Sequence, residues 1–210
     1  MKYITFQQQF QHWPLFSTQD IKKAFPDFDF RRLVEWQQKG YLQKIVNRWY
    51  RFSDPQNTLD ESYRWYVANR IYQPSYVSLE SALSYYGLIP EAVYRITSVS
   101  SLKTQHYETP VDTFDYRHLK PSLLFGYRLL SWQEFRIRMA EPEKMILDFL
   151  YLRSELREPD DFTALRINQA ALAELIDPEK LHRYLLLFGQ KKLAERVETF
   201  LDLLYHAEPS

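Results

Sequence analysis

Apolar residues recur at helical spacing from the start of the chain. Phe6, Phe10 and Trp13 make one stripe, and Pro14 ends it. Phe16-Ser17 opens a second helix, with Ser17 as its cap, Asp20 at N3, and Ile21, Ala24 and Phe25 facing inward. Pro26-Asp27 is a turn. A third helix runs from about Asp29 to Lys39, with Phe30, Leu33, Val34 and Gln37 along its inner edge and Gly40 just past its end. The pattern then changes from helical to β. Leu42–Val46 and Trp49–Phe52 flank Asn47-Arg48, where asparagine suits the positive φ of a tight hairpin. Three short helices and then a basic hairpin is the order of a winged helix-turn-helix.

The polar cluster Asp54-Pro55-Gln56-Asn57 predicts a boundary between a unit at residues 1–53 and a second at 58–210. The second opens with a connecting helix over 58–72, in which Leu59, Tyr63, Tyr66, Val67 and Ile71 are in phase. PSYVSLESALSYYGLIPE follows. Ser78 reads as an N-cap, Val77 and Ala82 as a hydrophobic staple, and Leu79, Ala82, Leu83 and Tyr86 as the apolar stripe. Gly87 and Pro90 end that helix, leaving Glu80, Ser81, Ser84 and Tyr85 for its flanks or outer face. From about 94 to 139 the pattern is β, with strands expected at Arg95–Ser100, Thr104–Glu108, Thr113–Leu119, Leu123–Arg128 and Glu134–Met139. Their short connections suit an antiparallel sheet. Helices return over about 142–206: Pro142 to about Leu156, Asn168–Ile176, Pro178–Phe188 and Gln190–Tyr205. The fold class is therefore α+β: an N-terminal winged helix-turn-helix, then a mixed domain of antiparallel sheet and C-terminal helices.

Composition narrows the function classes. With 27 basic and 27 acidic residues the formal net charge is zero, so no global field marks a nucleic-acid binder and any such role rests on local clustering. Such a cluster exists between residues 27 and 52. Arg31, Arg32, Lys39, Lys44, Arg48 and Arg51 outnumber Asp27, Asp29 and Glu35, and residues 41–52 hold no acid. On a winged helix, Arg31, Arg32, Glu35 and Gln38 point into the major groove and the wing residues Lys44, Arg48 and Arg51 toward phosphates, with Lys39 and Asn47 completing the surface expected to meet double-stranded DNA. The competing reading is a solvated face that binds protein. The chain has no cysteine, which excludes disulfides and thiolate metal sites and fits a reducing cytoplasm. No apolar run approaches the ~18 residues of a membrane span, and MKYITFQQQF lacks the apolar region of a signal peptide.

No catalytic or metal constellation emerges. The five histidines, at 12, 106, 118, 182 and 206, do not form a ligand set, and the Glu179-to-His182 spacing of a di-iron bundle has no second copy. Asp112 and Asp115 invite an Mg²⁺ nuclease, but no Glu-x-Lys follows on a later strand. The serines of 75–84 have no neighbouring His or Lys to act as base. In AEPEKMILDFLYL, Pro142 sits at N1, Glu141 and Glu143 favour the helix start, and Lys144 and Asp148 pair at i, i+4. Met145, Ile146, Phe149, Leu150 and Leu152 give that helix a wide apolar face, so it reads as a buried helix on the sheet. The expectation is a protein without enzymatic activity, metal or cofactor.

SYVSLESALSYYGLIPE, RITSVSS, HLKPSLLFG and AEPEKMILDFLYL together resemble the AbiEi-family antitoxins of type IV toxin–antitoxin systems. DPEKLHRYLLLFGQKKLAERVETFL is similar to that family's closing helices, and GYLQKIVNRWYRF to its winged helix. The resemblance covers about residues 15 to 203; the wing tip departs from the family's usual Arg-Gly and reads Asn47-Arg48-Trp49. It implies a bacterial antitoxin beside a nucleotidyltransferase-like toxin, a functional rather than a stable partner. It also implies an N-terminal domain that represses its own operon at inverted repeats, as a possible homodimer on DNA, and a C-terminal domain that neutralises. The rival expectation is a winged-helix regulator or protein-interaction adaptor with no toxin.

Overall fold

The computed structural model describes residues 1–53 and 60–206; the boundary expected at Asp54–Asn57 lies outside the described residues. Helix α1 (Tyr3–Phe10) is followed by strand β1 (Phe16–Ser17), helices α2 (Thr18–Ala24) and α3 (Arg31–Gln38), and strands β2 (Leu42–Val46) and β3 (Trp49–Phe52). The cap expected at Ser17 forms as a capping box: its side chain accepts from Asp20 N–H, and the Asp20 carboxylate accepts from Ser17 N–H. The three strands form an antiparallel sheet in the order β1-β3-β2. Phe6, Phe10, Phe16 and Trp36 pack beneath it in a largely aromatic core.

Two local expectations change here. The inner edge of α3 is Leu33 and Trp36, whereas Phe30 and Val34 stand 40% and 56% exposed. The indole of Trp36 fills the core against Tyr3 and Phe6, and this large ring sets the phase of the helix. In the hairpin turn Arg48, not Asn47, takes the positive φ, at 70°.

Helix α4 (Glu61–Ile71) is capped by Asp60, whose side chain accepts from Tyr63 N–H. It is buried almost all round, because it lies between the first unit and a larger sheet. Tyr63 donates to the Pro14 carbonyl, and the Arg70 guanidinium lies 5.4 Å over the Trp49 ring. Leu15 and Ile45, from the first unit, belong to the larger core.

The larger sheet has six strands: β4 (Ser75–Val77), β5 (Ile96–Ser100), β6 (Gln105–Glu108), β7 (Thr113–His118), β8 (Tyr127–Trp132) and β9 (Phe135–Ala140). They run in the order β6-β7-β5-β4-β9-β8. Pairs β6–β7 and β8–β9 are antiparallel, as expected; β4–β5 is antiparallel too, while β5–β7 and β4–β9 are parallel. The sequence pattern missed β4, whose three residues are too few to show alternation. Its insertion between β5 and β9 makes the central pairing mixed. The strand expected at Leu123–Arg128 begins later: Pro121–Leu123 is a 3₁₀ turn, Gly126 takes φ +69°, and β8 starts at Tyr127.

Helix α5 (Leu79–Tyr85) follows β4, and α6 (Pro142–Leu152) lies between it and the C-terminal helices. These are α7 (Pro159–Thr163), α8 (Gln169–Leu175), α9 (Pro178–Phe188) and α10 (Lys191–His206), of which only the short α7 was not anticipated. The architecture is α+β. No helix of the described residues is long and apolar enough to cross a membrane.

Candidate functional site

The residues predicted to meet DNA divide into three groups. Arg31 is bound to Asp29 at 3.0 Å, and Lys39 to Glu35 at 2.6 Å. Each acid lies below its ordinary pKa, chiefly through the hydrogen bond from its cation. Arg51 is directed inward: it donates to Gln43 Oε1 at 2.9 Å, and its guanidinium lies 5.8 Å from the Tyr63 ring, at the junction with α4. Arg32, Gln38, Lys44, Asn47 and Arg48 reach solvent. Arg32, Lys44 and Arg48 have no carboxylate within ion-pair distance among the described residues. Arg48 also anchors the hairpin, since its carbonyl accepts from Thr18 N–H at the start of α2.

A second constellation is buried in the larger unit. Lys144 and Asp148, one turn apart on α6, form an ion pair with both side chains fully buried. Asp148 Oδ2 also accepts from the Tyr76 hydroxyl at 2.8 Å and from the Ser78 hydroxyl at 3.0 Å. Lys144 donates a further bond to the Tyr76 oxygen at 2.8 Å. The faces of Phe125 and Phe188 lie about 5 Å from its ammonium. Burial pushes the Lys144 amine down and the Asp148 carboxyl up, each against the pull of the other's charge. It also drives Tyr76 well above its ordinary value, with the Asp148 charge adding to the effect. Gly126 lets the chain pass close overhead: a Cβ there would sit 3.0 Å from Lys144 Cβ. With every member closed off from solvent, the network fixes α6 to β4 and offers no access to a substrate.

This arrangement corrects the sequence reading of two serines. Ser78 makes no cap hydrogen bond, because its hydroxyl is committed to Asp148. Ser81, expected on the flank or outer face, is buried: its hydroxyl accepts from Thr97 N–H at 2.8 Å and donates to the Arg95 carbonyl. The detectable signal was the presence of two opposite charges, Lys144 and Asp148, among the apolar residues of this helix. The residues that satisfy them lie some seventy positions earlier and carry no local mark.

A surface cleft of about 830 Å³ lies among β5, β6, β7 and the segment after α5. Asp115, weighed as a metal-binding carboxylate, is here held by His106 Nδ1 at 2.5 Å and Arg95 at 3.0 Å. Burial pulls this carboxyl up, but those two bonds outweigh it and leave it below its ordinary value. His106 is raised, first by Asp115 and then by Glu108. Asp112 instead pairs with Arg64 at 3.2 Å and caps its own turn at Thr113. Among the described residues no three His, Asp or Glu side chains are grouped to hold a metal ion. Compared with known proteins, the sequence matches no protein-family model and no curated protein.

Proposed function

We propose that this chain is a type IV antitoxin of the AbiEi kind, which counters a nucleotidyltransferase-like toxin and represses its own operon through residues 1–53. The observation that carries the reading is the buried network. The two stretches on which the resemblance rests most, 75–91 and 140–152, are bonded to each other through Tyr76, Ser78, Lys144 and Asp148. They form one structural element, which accounts for their occurring together. The reading assigns the chain no catalytic step. For the DNA arm, the supporting features are the element order of the first unit and the cations Lys44 and Arg48, which are exposed, and Arg32, which is half-buried. Three cations per copy are few, so tight binding calls for two copies on an inverted repeat.

A specific observation favours the adaptor reading as the alternative. Arg31 of α3 and Lys39 just past its end are already neutralised by Asp29 and Glu35, and Phe30 and Val34 are exposed on the same segment. That surface suits a protein partner better than a phosphate backbone. Co-expression with the product of the adjoining gene tests the antitoxin. Growth is expected to recover when both proteins are present; continued arrest with both soluble would overturn the reading.

A further inference from the structure

The two edges of the six-stranded sheet are protected to different degrees. Strand β6 is short and carries Glu108 and His106, the latter paired with Asp115 of β7, charges of the kind that discourage further pairing. Strand β8, at the other edge, has six residues, no proline and no acid, and an unbroken register with β9. Leu129 at its centre is 58% exposed, and Tyr127, Arg128 and Ser131 are also open to solvent.

The hairpin turn shows which main-chain groups are unpaired. Trp132 and Phe135 close a two-residue turn and pair directly. Such closing residues exchange both hydrogen bonds, and bonded pairs then alternate along the strands. The N–H and C=O groups of Tyr127, Leu129 and Ser131 therefore point away from β9. Among the described residues, no other main-chain group takes them up.

Charge identifies the occupant. Residues 126–140 contain Arg128, Arg136 and Arg138 against the single acid Glu134. None of the three arginines has a carboxylate within ion-pair distance among the described residues. They are held by neutral groups: Arg128 by the Tyr85 hydroxyl and the Tyr86 ring, Arg136 by Ser131, and Arg138 over Tyr127. These contacts position the guanidiniums and leave their charge uncompensated. A second copy would bring the same arginines to the junction, so like charge opposes self-pairing. A nucleic acid would satisfy the charge but not the row of main-chain donors and acceptors.

We propose that β8 is a docking edge for an extended acidic segment of a partner protein, added as a seventh strand. Main-chain bonds to Tyr127, Leu129 and Ser131 supply affinity; Arg136 and Arg138, on the face of Leu129, select for carboxylates at alternate positions, and the intervening apolar side chains fall on the opposite face beside Leu130 and Trp132.

The test uses the full chain and a short fluorescent peptide alternating valine and glutamate. Controls are its lysine counterpart and the same peptide N-methylated at every second residue. The glutamate peptide is expected to bind and the other two not. On binding, amide exchange at Tyr127, Leu129 and Ser131 should slow at least about tenfold, since those groups become hydrogen-bonded. Leu129→Pro removes an outward N–H and leaves the β8–β9 bonds in place; it should abolish binding. Should that variant melt early, Leu129→Glu, which sets a like charge against the peptide, serves in its place and should weaken binding at least about tenfold. Arg136→Glu should weaken binding at least about tenfold. No binding of the glutamate peptide, equal binding of its N-methylated form, or unchanged amide exchange would each overturn the proposal. So would a concentration-dependent dimer that excludes the peptide, or preference for a DNA or RNA strand over it.

Discussion

Lys144→Met removes one partner of an ion pair whose two side chains are fully buried. The Asp148 carboxylate would keep only the hydroxyls of Tyr76 and Ser78. Breaking a buried pair from one side costs about 3–5 kcal/mol, because a charge stays in the interior uncompensated. That is a large part of the ~5–15 kcal/mol by which a domain is stable. Asp148→Asn is milder. Its amide oxygen still accepts from the two hydroxyls, and the ammonium keeps the Tyr76 oxygen and the faces of Phe125 and Phe188. The double variant Lys144→Met/Asp148→Asn leaves no charge within the network and keeps an acceptor. It should therefore be more stable than Lys144→Met alone. Burial shifts Lys144 down and Asp148 up, so both charges are held at a desolvation cost, and their joint removal relieves it. Urea unfolding followed by tryptophan fluorescence measures all four proteins, with an unchanged slope m as the control for two-state behaviour. Additive losses in the double-mutant cycle would refute the coupling. A cost for Lys144→Met under about 1 kcal/mol, the range of a surface pair, would refute the burial.

Three further outcomes are expected. In a salt titration on the chain's own upstream DNA, Arg48→Ala should flatten the slope of log K against log [salt] by about 0.9. Arg32→Ala should cost about 1–3 kcal/mol at the preferred site only; slopes and affinities identical to wild type would move the DNA surface elsewhere. A fragment from Thr58 to Ser210 should fold yet melt below the full chain, because Leu15 and Ile45 leave the larger core and Tyr63 loses the Pro14 carbonyl. Equal midpoints in a thermal melt would show that the two units are energetically independent. By NMR, His106 should titrate above 6.5, and Asp115→Asn should bring it back towards that value. A raised folded pKa means that its contribution to stability is full below the unfolded pKa and fades as pH rises through the folded one. Titration of His106 at or below 6.5 would contradict the His106–Asp115 contact.

Features within a few residues of one another were legible in the amino-acid sequence. The Ser17–Asp20 capping box, the limits of β2 and β3, and Pro178 and Gly189 at the two ends of α9 all arise from short-range sterics and hydrogen bonding. The α+β class followed from the change between helical and alternating periods. Tertiary structure decided what periodicity cannot encode. Competition for the core placed Trp36, not Phe30 or Val34, on the inner side of α3. β4 is a strand only because β5 and β9 lie on either side to pair with it. Arg51 turned inward because α4 supplied Tyr63 as a face. Ser78 gave up its cap because a buried carboxylate from α6 needed a donor. A buried charge must be satisfied by whichever groups the fold brings within hydrogen-bond reach, and sequence distance does not limit that choice.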